Sequence, residues 1–348
     1  MKKLKILGLS ILCGLLAIIV AVYVTDPLYL YHGPIFGMNE ALFDSSLQVP
    51  GSIKNFDYDS VLIGSSMIEN ADVTILEEAY DSKMLKVSKQ SGSMADLLFY
   101  LNQVHKYKDI HQIFMGMDVF AFAGGLEASV PSEYTPEYLF TDSMIDDYPY
   151  FFNKDILLKK LPMFLAYSLT GKYGHEKSYY FADGKTFDAA FAMQSYEQRD
   201  VEEKKDFSNE KALIDQNIDN LVMEIQSHPQ ITYHLFYSPY SLLWWDEIYR
   251  SGDYPKCFYI LEQSLQALTA LENVEVYFFM QEKDIVCNLD LYMDTQHFRP
   301  DINRYILESL NKDDSHLVQK DDVEEILKQT RELFDYIIQE GIYQYYTK

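Results

Sequence analysis

The sequence predicts an α/β protein, a three-layer fold around a parallel sheet, preceded by one N-terminal transmembrane helix. Three observations predict it. Short apolar runs such as Ser60–Gly64 alternate with segments of helical length, the rhythm of βαβ units. Residues able to carry chemistry fall just after those runs, where open α/β sheets gather their sites. Residues Ile6 to Val24 carry no charge and are long enough to cross a ~30 Å hydrocarbon core at 1.5 Å rise per residue.

The elements follow in order. Lys2, Lys3 and Lys5 precede the apolar stretch and place the N-terminus in the cytoplasm by the positive-inside rule. Tyr23, Tyr29 and Tyr31 suit the outer interface. A cleaved signal peptide is the competing reading. Its apolar region is usually shorter, and no small-x-small site closes the run before Asp26-Pro27. Residues 1–25 thus read as a lysine-led anchor and 26–57, rich in Pro and Gly, as a stalk. Residues 58–348 read as an extracytoplasmic domain.

Within that domain Ser60–Gly64 is a strand buried on both faces, and Ile68–Tyr80 a helix. Met84–Ser88 is a second strand, Met94–Tyr107 a helix, and Ile110–Phe120 a third strand. The rhythm stops over about 121–205, a Tyr- and Asp-rich stretch read as an insertion or lid. It resumes with a helix over Asn209–Ser227, a strand over Ile231–Phe236, a helix over Lys256–Leu271 and a strand over Val274–Phe279. Asp301–Asn311 is a helix. The last segment, Lys320–Tyr343, is amphipathic; its polar face holds more acid than base, which favours docking on the domain over lying on a membrane.

Composition narrows the function. The net charge is −24, and no basic patch is visible, so nucleic acid is excluded as a partner. The 29 Tyr and 21 Phe suit packing as well as sugar contact. Trp244-Trp245 has the same two readings, sugar platform or core. Of the three cysteines, Cys13 lies in the apolar run, while Cys257 and Cys287 are either a disulfide or two buried thiols. The histidines show no ligand-like spacing, so no metal is assigned, and no cofactor motif occurs.

The chemistry-bearing residues are Gly64-Ser65-Ser66 after the first strand, Gly92 after the second, Asp118 at the end of the third, and Asp294-Thr-Gln-His297 after the last. An Asp three residues before a His can share its loop and fix its tautomer. A Ser on a tight turn can then complete a Ser-His-Asp arrangement, defined by geometry and not by chain order. Taken singly, Gly-Ser-Ser is a common turn and Asp-x-x-His a common helix cap. Ser65 competes with Ser66, and Asp290 competes with Asp294 at a longer spacing.

These blocks resemble those of the SGNH, or GDSL-type, hydrolase superfamily, spread over most of residues 58–310. The resemblance implies a flavodoxin-like sheet. It makes Ser66 the nucleophile, His297 the base and Asp294 its orienting partner. It also implies an oxyanion hole from the N–H groups of Ser66 and Gly92. The third block departs: Gly116-Met117-Asp118-Val119 puts Asp118 where the family has an Asn side chain that donates to the oxyanion. The anchor, the Gly-Ser-Ser turn and the terminal Asp-x-x-His are similar to the D-alanyl transfer proteins of teichoic-acid D-alanylation and to SGNH-like polysaccharide acetylation proteins. That similarity implies an acyltransferase or esterase. Its acceptor would be an envelope glycopolymer, and a membrane-bound O-acyltransferase would stand beside it. The alternative is a non-catalytic SGNH-like domain that binds polysaccharide or scaffolds a membrane partner, and Asp118 is the residue that favours it.

Overall fold

The computed structural model describes residues 1–312 and 314–346; residues 313, 347 and 348 of the expected domain lie outside the described residues. The helices in chain order are α1 (Lys2–Thr25), α2 (Ser45–Asn55), α3 (Thr74–Tyr80), α4 (Met94–Tyr107), α5 (Tyr148–Phe152), α6 (Leu161–Thr170), α7 (Ala189–Gln194), α8 (Lys211–Ser227), α9 (Leu242–Arg250), α10 (Tyr254–Leu268), α11 (Lys283–Val286), α12 (Pro300–Lys312), α13 (Val323–Tyr336) and α14 (Tyr343–Tyr346). The chain forms two compact units, Met1–Asp57 with Val130–Tyr179, and Tyr58–Ser129 with Tyr180–Lys348. The residues read as a stalk therefore share a unit with the middle of the 121–205 insertion.

In the first unit, α1 is long and apolar enough to cross a membrane, and almost all of it is exposed. Asp26 stops it in a left-handed conformation. Its carboxylate then accepts from the N–H groups of Leu30 (3.0 Å), Tyr31 (2.7 Å) and His32 (3.0 Å) and from the Tyr150 hydroxyl (2.6 Å), which turns the chain sharply. Helix α2 was unreadable because Pro50 and Gly51 lie inside it. Gly51 is required there: a Cβ would stand 2.2 Å from the Leu28 carbonyl oxygen. Buried Gln48 holds the segment, donating to Pro27 and Ala41 carbonyls and accepting from the Phe43 and Asp44 N–H groups. Val22, Leu28, Leu30, Leu139, Tyr150, Phe151 and Ile156 form this unit's core.

The second unit is built on a five-stranded sheet of order β2-β1-β3-β4-β5, where β1 is Ser60–Gly64, β2 Met84–Ser88, β3 Gln112–Met117, β4 Thr232–Tyr237 and β5 Val274–Phe278. Every pairing is parallel. Val61, Leu62 and Ile63 are fully buried, as a continuous apolar run in a sheet covered on both faces requires. Helix α3 packs on α12, and α8 packs on α4 and α10, giving two helical groups. The three-layer expectation is met.

The differences are local. Expected helix 68–80 opens as a 3₁₀ turn at Ser66–Ile68 and becomes α-helical only at Thr74, where the Asp72 carboxylate accepts from the Thr74 N–H and hydroxyl. Strand β3 stops at Met117, and Val119–Ala123 coils into a 3₁₀ turn. Helix α9, not expected from the sequence, is capped by Ser241, whose Oγ accepts from the Leu243 N–H (3.1 Å). Helix α13 docks through Val323, Leu327, Leu333 and Phe334, with Phe334 against Phe258 of α10 at 5.6 Å between ring centres.

Candidate active site

In this strand order the direction of winding reverses at β1, which lies between β2 and β3. The carboxyl ends of β1 and β3 therefore flank the crevice where such sheets hold their ligands. Ser65-Ser66 leaves β1 there, and Asp118 leaves β3.

The turn after β1 sits low on the sheet because two glycines make room for it. A Cβ on Gly64 would stand 3.1 Å from Ile68 Cγ2, and one on Gly116 only 2.9 Å. Ser65 caps the turn, its Oγ accepting from the Met67 N–H (3.3 Å). From α12, Asn303 Nδ2 donates to the Met67 carbonyl (2.8 Å). Beneath the turn, Ser88 Oγ donates to Glu69 Oε1 (2.9 Å) and lies 3.3 Å from the Ser65 carbonyl, while Lys86 Nζ donates to the Glu69 carbonyl (3.0 Å). Burial pushes the Lys86 ammonium down to about 7, against the opposing pull of Glu69 and Asp72.

The loop after β5 is closed on itself: Tyr292 bridges Phe298, and the Met293 N–H donates to the His297 carbonyl (3.0 Å). Ser241 Oγ donates to the Thr295 carbonyl (2.6 Å) and the Tyr292 hydroxyl to the Pro239 carbonyl (2.7 Å), which ties the loop to the end of β4. This closure aims His297 at the β1 turn.

There the side chains meet. Ser66 Oγ lies 2.8 Å from His297 Nε2, and His297 Nδ1 lies 2.7 Å from Asp294 Oδ2. Asp294 Oδ1 accepts from the N–H groups of Gln296 (2.8 Å) and His297 (2.7 Å), so both its oxygens are committed. Burial acts to raise the Asp294 carboxyl. The His297 ring, its charge and the two N–H groups outweigh that, and the net shift is downward. An ionised Asp294 accepts a hydrogen bond from Nδ1–H, which keeps the proton on Nδ1 and leaves the Nε2 lone pair facing the Ser66 hydroxyl. Phe181 stands edge-on to the His297 ring at 5.5 Å, held by Asn70, whose Oδ1 accepts from the Phe181 and Ala182 N–H groups (both 3.1 Å). Asp290 faces elsewhere; its Oδ1 accepts from the Ala189 N–H (3.1 Å).

A cavity of about 300 Å³ adjoins Ser66, lined by Ser91, Gly92, Asp118, Phe120, Tyr240 and Trp244 among others. Gly92 lines the cavity, and its N–H donates to the Lys89 carbonyl (2.9 Å). The Ser66 N–H opens a 3₁₀ turn, a position without an acceptor inside the turn. Asp118 accepts hydrogen bonds from the Tyr240 hydroxyl and from Ser65. Burial raises its carboxyl above the usual range, against those two hydrogen bonds and the nearby His297. The Ser65 hydroxyl is thus bonded to Asp118, and the hydroxyl at His297 Nε2 is that of Ser66. Burial also drives the Tyr240 hydroxyl well above its ordinary value, so it stays a donor.

Tyr240 and Phe181 carry no site signal in the sequence, because each sits on a loop with no motif of its own, and Gln296 is one of the two unspecified positions of the Asp-x-x-His block. Trp244 stacks on Tyr240 at 4.5 Å and lines the cavity, while Trp245 is buried against Phe258 and Phe334. Cys257 and Cys287 are both free thiols. Among the described residues, the set able to hold a cation is His105, Glu224 and His228, with ligand atoms within 4.8 Å of one another. His105 Nε2 and His228 Nδ1 lie 2.8 and 3.2 Å from Glu224 Oε1. These residues close the last turns of α4 and α8, at the end of the sheet opposite Ser66.

No family model matches the chain, and no curated protein matches it. Among solved structures, the chain is similar to one from Streptococcus pneumonia provisionally described as a platelet activating factor. The identity is 11% and the TM-score 0.37, over 81% of this chain and 91% of that one.

Proposed function

We propose that this protein is a membrane-anchored, extracytoplasmic, serine-dependent acyltransferase or esterase that modifies an envelope polysaccharide or teichoic-acid-like polymer. The observation that carries the enzymatic reading is the unbroken relay Ser66–His297–Asp294, at 2.8 and 2.7 Å, on the rim of a cavity. In the proposed reaction His297 Nε2 takes the Ser66 proton as Oγ bonds to the acyl carbon. The carbonyl electron pair moves to oxygen, stabilised by the Ser66 N–H. Collapse of that adduct expels the alcohol or thiol, which leaves with the proton from His297. A polymer hydroxyl, or water, then repeats the sequence on the acyl-enzyme. Asp294 holds the imidazole throughout.

The anchor and its orientation rest on α1 with Lys2, Lys3 and Lys5 before it. The polymer acceptor and a neighbouring membrane O-acyltransferase rest on the family resemblance. The rival reading, a binding or scaffolding domain, is favoured by two observations. Gly92 already spends its N–H on Lys89, and Asp118 presents a carboxyl where an amide would donate.

Fluorophosphonate labelling of the full-length protein in detergent discriminates between them. The expected outcome is labelling of wild type and Ser65→Ala, and its loss in Ser66→Ala and His297→Ala. A folded wild type that takes no label sinks the enzymatic reading.

A further inference from the structure

A second apolar surface lies beside the anchor. Residues Ile156–Lys160 form a π-helical turn that runs directly into α6, and α6 itself, Leu161–Thr170, contains no charged residue. One side of this helix packs inward through Ile156 and Phe164. The opposite side shows Leu158, Pro162, Ala166 and Leu169, spaced three and four apart and all exposed. Leu158 and Leu169 are 70% and 84% exposed, and Phe152 of the preceding α5 is 45% exposed. A helix on the surface of a water-soluble unit turns a polar face outward. This one turns an apolar face outward, so water is the wrong medium for it.

Its position names the medium. Ile18 and Ile19 of α1 pack against the cluster that contains Phe151 and Ile156, with Leu157 and Leu161 at its edge. Those two isoleucines lie six or seven residues before Thr25, roughly 10 Å along a helix from the end of the span. Whatever packs on them lies at the depth where interfacial helices bury an apolar face, ~5–10 Å below the headgroup boundary. Charged groups stand at the ends of the apolar stretch: Lys154 and the Asp155–Lys159 pair (3.8 Å) around its first turn, and Lys172, stacked over Tyr167 and Tyr173, after it. Long cationic side chains and tyrosines at the ends of an apolar segment suit the headgroup layer.

We propose that the exposed face of 156–170 lies in the outer leaflet of the same bilayer that α1 crosses, as a second, in-plane contact with lipid. This rests on reading α1 as a membrane span. The in-plane contact would hold the first unit at the membrane surface at two places instead of one.

The test uses the full chain in phospholipid nanodiscs, with Cys13 and Cys287 replaced by Ser. Buried Cys257 is left in place, and one reactive cysteine carries an environment-sensitive fluorophore at Leu169, at Met223 or, restored, at Cys13. Met223 is exposed on α8 and serves as the aqueous reference. The expected result is that the Leu169 label emits to the blue of the Met223 label. Lipid-borne bromine should quench it, and aqueous iodide should reach it several-fold less. Equal iodide access at Leu169 and Met223 overturns the proposal. So does a Leu169 label shielded from both quenchers, which means a protein surface covers the face. A Cys13 label beyond the reach of brominated lipid overturns instead the membrane span on which the proposal stands.

Discussion

Asp118 is the residue at which this site departs from the sequence blocks it resembles. Its carboxyl is raised, chiefly by burial, and it receives hydrogen bonds from Tyr240 and Ser65. The folded protein therefore keeps the Asp118 proton to higher pH than the unfolded chain does. In that window the native state binds more protons, so stability falls as pH rises above the ordinary carboxylate value of about 4. Asp118→Asn is expected to raise the thermal midpoint at neutral pH and to converge with wild type near pH 4, as measured by calorimetry across pH. A neutral Asp118 can also donate, as an amide would. Asp118→Asn is then expected to keep Ser66 labelling, and Asp118→Ala to slow it by ~10²–10³-fold. Asp294 has the opposite sign. Its depressed value means that its interactions with His297 stabilise the fold above the unfolded pKa and are lost as pH falls through the folded one. Ser66, His297 and Asp294 were legible because a relay needs particular residue types at particular spacings. Tyr240 and Phe181 were not, because a hydroxyl on Asp118 and a ring edge on His297 are set by loops that meet only in space.

Strand β1 and its turn show how an element positions chemistry. Gly116→Ala brings a Cβ within 2.9 Å of Ile68 Cγ2 and 3.3 Å of Phe236 Cζ. Overpacking there is expected to cost about 1–3 kcal/mol by denaturant unfolding. It should also slow Ser66 labelling in the folded protein, since Ile68 belongs to the same turn as Ser66. Leu62→Ala empties a fully buried site, at about 2–5 kcal/mol. It should leave the labelling rate of folded molecules unchanged, because Leu62 lies in the middle of the strand and not in the turn. Equal labelling rates in Gly116→Ala and wild type would refute the seating of the turn by the two glycines. The strands were readable as apolar runs. Helix α2 was not, since Pro50 and Gly51 argue against a helix locally and only the contacts of Gln48 and the approach of Leu28 make it one.

Across the whole molecule, a net charge of −24 works against the packing that holds the chain together. Charges of one sign repel in the compact state, and salt screens them over a Debye length of about 10 Å at 0.1 M. The thermal midpoint is therefore expected to rise between low salt and about 0.3 M sodium chloride. A flat or falling midpoint in a salt series would mean that paired charges such as Lys160 with Asp44 and Arg250 with Asp246 outweigh the repulsion. Helices α13 and α6 differ in what they turn outward. The apolar face of α13 is sealed on α10 and its acidic face meets water. The outward face of α6 holds no charge at all.

The sequence by itself determined the sheet, the span-length helix and the residue types of the relay. Each follows from a short-range rule: apolar runs buried on both faces, a charge-free length that matches a bilayer, and an Asp three residues from a His. Tertiary structure alone decided which serine faces His297, what Asp118 touches, where the Gly92 N–H points, and that His105 and His228 converge on Glu224. Those outcomes depend on the meeting of loops far apart in the chain, whose geometry is set by packing and by the satisfaction of buried polar groups and leaves no periodic trace in the sequence.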